Sequence, residues 1–339
     1  MATIRLSRRV NALMGLCVLG LSLAPGGPVR AAEAAPLTLD TKISLGEISG
    51  RIDHLAFDST RQRLYVAELG NNSVGILDLK SGRVLRTAPG FKEPQGIAFE
   101  PSTDTVYVAN AGDGSVRLFR GEDFAPVGQI ALGEDADNVR VDYSAQRVYV
   151  GYGDGALAVI DPKTRRKIAD IPLKGHPESF QLEPDGPLIF VNVPDAGEIA
   201  VVDRQTHQST ADWSTGDLRS NFPLALDGPS GRLIAIFRRP ARLAAFDIRR
   251  GVKLAEADVC GDADDVFADT TRHRVYAICG EGFVDTFVLN AGSYVRAGHT
   301  ATVAGARTGL FIPELDRLLV AVRAHGKEPA AIWSFRPGS

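Results

Sequence analysis

The chain is dominated by a unit of about 42 residues that recurs along nearly its whole length. An acidic residue closes a short apolar stretch in six of the units, and a proline takes its place in the seventh: Asp58, Glu100, Asp142, Glu183, Asp227, Asp269 and Pro313. Successive spacings are 42, 42, 41, 44, 42 and 44 residues, which defines seven units. A fixed period of this length is typical of architectures built from stacked supersecondary repeats.

Each unit has the same internal order of short, strand-like segments. The first is apolar, as in Leu55-Ala-Phe57, and the second is β-branched and aromatic, as in Val106-Tyr-Val108. A glycine-rich turn such as Gly112-Asp-Gly114 leads to the third segment, and a weaker, more polar fourth segment completes the unit. No long amphipathic helix is visible. Four strands per unit, repeated radially, predict an all-β, seven-bladed β-propeller with four-stranded blades.

The two ends of the chain are expected to share one blade. The seventh unit ends at Ile332–Phe335, which is only its third strand. The segment Leu37–Leu45 has the composition of a strand and precedes the first unit. We therefore predict that this N-terminal strand completes the C-terminal blade, because ring closure leaves no long sheet edge open to aggregation.

The first 31 residues have the pattern of a secretory signal peptide. Arg5, Arg8 and Arg9 precede the apolar run Leu13–Ala24, which is too short to span a bilayer, and small residues follow it. The alternative is an N-terminal membrane anchor. We predict a signal peptide at 1–31, a propeller at 32–339, a periplasmic or secreted location and no membrane span after cleavage.

The charge of the processed chain bears on its partners. Removal of residues 1–31 takes away four arginines and no acids, which leaves 34 basic and 41 acidic residues and a net charge of −7. Nucleic-acid affinity comes mainly from basic side chains that neutralise phosphates, so this balance disfavours nucleic acid as a partner. We expect a monomer that binds a small molecule or a partner protein.

Two cysteines remain after processing, Cys260 and Cys279. An exported protein meets an oxidising compartment, and a hairpin of Asp264–Asp269 with Arg274–Cys279 would bring both cysteines to the same end. We predict a disulfide between them, with two buried thiols as the alternative. Zinc is not favoured, because no CxxC or HxxxH motif accompanies them.

Specific residues in the repeats resemble a known family. Val106-Tyr-Val-Ala-Asn110 followed by Ser115-Val116 is similar to the YVTN-type repeat. The chain from residue 32 onward resembles the YncE-like family of periplasmic seven-bladed propellers, and Gly261-Asp-Ala-Asp-Asp265 looks like a subgroup feature. The resemblance implies a propeller with export, and single-stranded nucleic-acid binding is known within the family. Lactonases and streptogramin-lyase-like enzymes occur on similar propellers.

Propellers bind ligands at the mouth of the central channel, where loops of all the blades converge. The polar residues that precede the first strands are therefore the candidate binding residues: Arg51, Asp53, His54, Gln95, Asp137, Asn138, His176, Glu178, Asn221, Asp264, Asp265 and Arg307. Units three and six carry the same Asp-Ala-Asp-(Asn/Asp) sequence, and three blades separate them. We expect the two stretches to face each other across the channel.

Two kinds of chemistry are open for these residues. Clustered carboxylates suit a hard cation such as Ca²⁺ or Mg²⁺, with Asp137, Asp264 and Asp265 as tentative ligands. The alternative is that aspartates of these stretches accept backbone N–H groups of their own turns. His54 beside Asp53 could be a proton-transfer pair or a histidine held by its neighbour.

The sequence thus predicts an exported propeller that binds a small ligand or a partner protein at the polar mouth of its channel, with no catalysis assumed. The first alternative is a metal-assisted hydrolase of the lactonase or lyase type that uses the channel-mouth carboxylates. The second is single-stranded nucleic-acid binding. No nucleophile or phosphate-binding motif such as G-x-S-x-G, S-x-x-K or G-x-x-x-x-G-K occurs, so whether the protein is an enzyme stays open.

Overall fold

The protein is described here from a computed structural model, which covers residues 1–3 and 37–338. The predicted signal peptide falls on residues outside this described part. Residues Thr38–Arg336 form seven four-stranded antiparallel sheets. Among the described residues, no helix is long and apolar enough to cross a membrane.

The sheets follow one another along the chain as blades one to seven. Blade one contains β2 (Leu55–Asp58), β3 (Arg63–Glu68), β4 (Ser73–Asp78) and β5 (Arg83–Pro89). Blade two contains β6 (Pro94–Glu100), β7 (Thr105–Asn110), β8 (Ser115–Arg120) and β9 (Pro126–Ala131). Blade three contains β10 (Ala136–Asp142), β11 (Arg147–Tyr152), β12 (Ala156–Asp161) and β13 (Arg166–Pro172). Blade four contains β14 (Phe180–Leu182), β15 (Leu188–Val193), β16 (Glu198–Asp203) and β17 (Gln208–Ser214).

The remaining blades keep the same order. Blade five contains β18 (Arg219–Asp227), β19 (Arg232–Arg239), β20 (Ala241–Asp247) and β21 (Lys253–Asp258). Blade six contains β22 (Ala263–Asp269), β23 (Arg274–Cys279), β24 (Phe283–Asn290) and β25 (Ser293–Ala301). Blade seven contains β26 (Gly309–Ile312), β27 (Arg317–Val322), β28 (Ala330–Arg336) and the N-terminal β1 (Thr38–Gly46). Four one-turn 3₁₀ helices interrupt the turns, at Leu69–Asn71, Pro194–Ala196, Gly228–Ser230 and Pro313–Leu315.

The ring closes as the sequence predicted. The first strands of neighbouring blades contact one another around the channel, and β2 of blade one contacts β26 of blade seven. β1 pairs antiparallel with β28, so that Thr38 lies opposite Arg336 and Ile43 opposite Ile332. The fold class and the shared seventh blade are both confirmed.

The recurring acid has a structural role at the first turn of the blade. In blade one, Asp58 accepts the backbone N–H groups of Thr60 and Arg61 at 2.9 and 3.1 Å. Asp142 and Asp269 bind the corresponding N–H groups of their own turns in blades three and six. An aspartate that binds the backbone two or three residues on fixes a tight turn, which explains why the period is easiest to see at this position.

The core lies between the blades rather than inside them. Tyr65 of β3 is fully buried and packs with Phe99 and Phe119 of the next blade. Its hydroxyl donates a hydrogen bond to the carbonyl of Gly121 at 3.0 Å, so the buried polar atom is satisfied. Each interface of this kind joins two neighbouring blades, as expected of a repeat fold.

Cys260 and Cys279 form the predicted disulfide, with their Cα atoms 5.8 Å apart. Cys260 lies just before β22, and Cys279 ends β23, which pairs with β22. The bridge joins the channel end of blade six to the loop that follows blade five.

Candidate functional site

The blade repeat places one residue of each unit at the same height of the channel. The residue two positions before the first apolar residue of the innermost strand is Asp53, Gln95, Asp137, Glu178, Phe222, Asp264 and Thr308 in blades one to seven. Five of these seven residues line a single cavity, which encloses about 160 Å³. Its lining consists of Arg51, His54, Gln95, Asp135, Asp137, Asn138, His176, Glu178, Ser179, Phe222, Arg238, Asp264 and Arg307.

Nine of the twelve predicted binding residues therefore lie around one cavity, and the stretches of units three and six both reach it. Asp135 and Asp262 occupy the same position of the two stretches and share a left-handed backbone, with φ of 34° and 57°. The strand that follows each of them is irregular in its pairing, between Ala136 and Val139 and between Ala263 and Asp265. Such an irregularity re-aims side chains, and it turns Asp137 and Asp264 toward the channel.

Three arginines from three different blades converge on Asp264. Arg238 Nη2 lies 2.5 Å from Asp264 Oδ1, Arg307 Nε lies 2.9 Å from Oδ2, and Arg51 Nη2 lies 3.6 Å from Oδ2. The Arg238 guanidinium also stacks on the ring of Phe222, 3.7 Å from its centroid. Planar guanidinium groups held in this way present fixed N–H donors to an anion.

His54 lies between two carboxylates. Its Nε2 is 3.7 Å from Asp53 Oδ1, and its Nδ1 is 3.6 Å from Asp265 Oδ2. Burial alone would lower the pKa of His54, but the carboxylates of Asp265 and Asp53 outweigh it and raise the pKa to about 10. His54 is therefore an imidazolium at neutral pH, which makes it a poor proton acceptor and a fixed positive charge.

The opposite wall carries His176 and Glu178. His176 Nδ1 lies 2.7 Å from the carbonyl oxygen of Gly153, and although burial opposes its charge, hydrogen bonds to Asp137 and Gly153 raise its pKa to about 9. Burial, followed by the negative charge of Asp137, raises the pKa of Glu178 to about 8. At neutral pH this wall presents an imidazolium and a protonated carboxyl group, both hydrogen-bond donors.

Some polar atoms of the cavity have no partner within the described part of the chain. They are the donor Arg51 Nε and the acceptors Asp137 Oδ1 and Asn138 Oδ1. Buried polar groups are normally hydrogen-bonded, because an unpaired one costs about 1–3 kcal/mol. The cavity thus offers one donor and two acceptors to a molecule that enters it.

Three predicted residues lie outside the cavity lining. Asp53 is buried behind it, where Arg51 Nη2 approaches its Oδ2 at 2.7 Å. Asp265 accepts the backbone N–H of Gly309 at 2.8 Å and faces His54 from the other side. Asn221 is fully buried within β18 and donates to Asn192 Oδ1 and to the carbonyl of Glu198. The interpretation of Asn221 as a channel-mouth ligand is corrected, because its amide is used within the sheets.

The proposed divalent-cation site finds no support in the described residues. Within residues 37–338, no group of three or more histidine, cysteine, aspartate or glutamate side chains is arranged to hold a metal ion. Asp264 has arginine partners on both oxygens, and Asp265 is bound to a backbone N–H. Only Asp137 keeps a free carboxylate oxygen, and a hard cation needs several such ligands.

Sequence reasoning missed four lining residues: Asp135, Ser179, Phe222 and Arg238. Arg238 is the most important of them, because it makes the shortest contact with Asp264. It lies near the end of β19, in the region after a second strand where other units carry acidic residues. The consecutive arginines Arg238 and Arg239 were a visible signal of a cation at this position.

Comparisons with known proteins agree with the fold and add no function. No protein-family model matches the chain, and no curated protein sequence matches it. A solved structure described as "Crystal Structure of Mitotic Checkpoint Complex" contains a chain that is similar, with a TM-score of 0.76 and 12% identity. The alignment covers 96% of this chain and 99% of that one. At this identity the similarity concerns the architecture alone: the chain is a seven-bladed β-propeller.

Proposed function

We propose that this propeller is an exported, YncE-like binding protein that holds a small polar molecule in the cavity at the mouth of its channel, without catalysis. The observation that carries the proposal is the convergence of Arg51, Arg238 and Arg307 on one side of a cavity whose other side has unpaired acceptors. A concave site with a few convergent polar groups is the usual form of a small-molecule site.

The geometry favours a ligand that carries both an anionic and a donor group. The arginine side, together with the charged imidazolium of His54, favours a carboxylate or a similar anion. Asp137 Oδ1 and Asn138 Oδ1 require a hydrogen-bond donor, such as an ammonium or a hydroxyl group. A volume of about 160 Å³ equals that of about five water molecules, which limits the enclosed part to a few heavy atoms.

Three molecules with the same four-carbon chain test this chemistry. Succinate carries two anions, γ-aminobutyrate one anion and one cation, and putrescine two cations. We expect isothermal titration calorimetry to rank γ-aminobutyrate first and putrescine last. Arg238→Met should weaken γ-aminobutyrate binding at least tenfold, whereas Arg250→Met, which removes an exposed arginine of an outer turn, should leave it unchanged. Preferential putrescine binding, or no binding of any of the three at millimolar concentration, would refute the proposal.

The pH dependence of binding follows from two groups of the cavity wall. Between pH 7 and pH 10, Glu178 (pKa about 8) gains a negative charge and His176 (pKa about 9) loses its positive charge. Both changes repel an anion, so the affinity for γ-aminobutyrate should fall over this range. The fall should be smaller in Glu178→Gln, and an affinity independent of pH in the unmodified protein would contradict the assignment.

Export is a separate part of the proposal. The segment at 1–31 has the pattern of a signal peptide, and the disulfide between Cys260 and Cys279 suits an oxidising compartment. N-terminal sequencing of the protein from the periplasm or the medium tests it. A product that retains Met1 and stays in the cytoplasm would overturn it.

Partner-protein binding is the second candidate. It is supported by the similar fold of a chain from the mitotic checkpoint complex structure, which shows that the architecture occurs in assemblies. A partner would reach the cavity with the tip of a loop, because the enclosed volume is small. Metal-assisted hydrolysis is not favoured, since the carboxylates that would bind the ion are held by arginines and by a backbone N–H.

A further inference from the structure

A second cavity lies deeper in the channel, beyond His54, and is larger than the polar one. It encloses about 440 Å³ and is lined by the innermost strands of six blades. His54 is the residue that lines both cavities, so its side chain marks the division between them. The two cavities thus occupy different levels of one channel.

The wall of this second cavity is largely apolar. Its half-buried aromatic and aliphatic side chains are Phe57, Val141, Phe267, Leu310 and Phe311. They come from the first strands, whose outer-facing neighbours are packed into the blade interfaces. Apolar side chains that are left facing a cavity give a favourable surface for an apolar ligand body.

Arg140 is the exception in this wall. Its Nη1 donates to the carbonyl of Val139 at 3.0 Å, and its guanidinium lies 5.7 Å from the ring of Phe180. Among the described residues, no carboxylate lies within 4.0 Å of it. Burial lowers the pKa of Arg140, although the negative charges of Asp265 and Asp137 counter this effect. A half-buried guanidinium without an ion-pair partner is costly to keep in an apolar chamber.

The other ionisable groups of this cavity do not neutralise Arg140. Asp265 is bound to the backbone N–H of Gly309 and lies 3.6 Å from the charged imidazolium of His54. Glu314 and Tyr143 are exposed at the outer rim. The interior of the cavity therefore keeps one positive charge surrounded by aromatic and aliphatic side chains.

We propose that this cavity is a second binding site, for a small amphipathic molecule with an aromatic or branched apolar body and a single carboxylate. The carboxylate pairs with the guanidinium of Arg140, and the apolar body packs against Phe57, Phe267 and Phe311. The site is independent of the polar cavity, because its ligand contacts different walls and leaves Arg51, Arg238 and Arg307 free. Both sites can be occupied at once.

The test compares 2-naphthoate with 2-naphthamide, which have the same ring system but differ in charge. We expect calorimetry on the unmodified protein to show at least tenfold tighter binding of 2-naphthoate. This ratio tests the proposal without any substitution. Equal affinities, or no binding of 2-naphthoate at millimolar concentration, would overturn it.

Variants then locate the site. Arg140→Met should remove the preference for 2-naphthoate while leaving the affinity for 2-naphthamide nearly unchanged, and Arg140→Lys should keep most of the preference. Arg250→Met is again the matched control. Retention of the full preference in Arg140→Met would overturn the assignment, and so would displacement of 2-naphthoate by saturating γ-aminobutyrate. Loss of γ-aminobutyrate binding in Arg238→Met with 2-naphthoate binding intact would support two separate sites.

Discussion

Replacing His54 with glutamine should remove a large, pH-dependent part of the stability of the propeller. The neighbouring carboxylates raise the pKa of this histidine from 6.5 to about 10. A histidine whose pKa is higher in the folded state stabilises the fold fully below pH 6.5, and this contribution is lost as the pH rises to 10. At about 1.4 kcal/mol per pKa unit, the shift corresponds to roughly 5 kcal/mol, which is an upper bound for so strongly coupled a group.

The assay is urea unfolding of the wild-type protein and of His54→Gln between pH 6 and pH 10, followed by tryptophan fluorescence. Trp213 is a suitable reporter, because it packs against Phe190 and Phe246 in the core. The pKa values of Glu178 and His176 are also raised, so stability should fall with pH in both proteins. The difference between the two proteins isolates His54, and it should be largest at pH 6 and smallest at pH 10.

Two results would refute this reasoning. One is a difference in unfolding free energy between wild type and His54→Gln that does not change with pH. The other is an imidazole NMR titration of His54 with a midpoint near 6.5, which would show that Asp53 and Asp265 do not hold the charge. His273→Gln, at an exposed turn of blade six, is the control and should leave the pH profile unchanged.

Two further predictions concern stability and the polar site. Gly96→Ala would place a Cβ only 2.0 Å from the backbone oxygen of Asp137, so it should destabilise the protein by about 1–3 kcal/mol and weaken γ-aminobutyrate binding; Gly128→Ala, whose Cβ would meet nothing within 4 Å, is the matched control, and equal effects in both variants on urea unfolding would contradict the argument. Replacing Cys260 and Cys279 together with alanine opens a bridge that spans 19 residues and should cost about 3 kcal/mol in urea unfolding, whereas a loss below about 1 kcal/mol would contradict the loop-entropy estimate.

The architecture was predictable because each unit repeats the same local instructions. The acid that closes the first strand binds its own turn, as Asp58 does, so the period reports directly on a hydrogen-bonded feature. The closing strand was predictable from what the seventh unit lacked. Neither inference needed knowledge of contacts between blades, since the period and the strand count determine the ring.

The site was predictable in its position but not in its electrostatics. Asp53 and Asp264 occupy equivalent positions in their blades, yet Asp53 is buried behind the cavity and Asp264 lines it. The partners decide this difference, and those of Asp264 come from three other blades. A sequence read unit by unit shows the carboxylates and does not show that arginines face them, which is why a cation site was expected.

Blade five shows a second limit. Its strands β18 and β19 extend further toward the channel mouth than their counterparts, and Arg219 pairs with Arg239. This extension places Asn221 inside a sheet and carries Arg238 into the cavity. Strand length depends on tertiary pairing, so the local pattern alone assigned Asn221 to the mouth and overlooked Arg238.

The pairing of β1 with β28 sets an order in which the molecule can be completed. Thr38 leaves the ribosome almost at the beginning of synthesis, but its partner Arg336 is among the last residues to be made. Until then β1 has no neighbour within its own sheet, and blades one and seven cannot meet. The disc therefore becomes a closed body only after essentially the whole polypeptide is available, which suits a protein that crosses a membrane as an open chain and assembles on the far side.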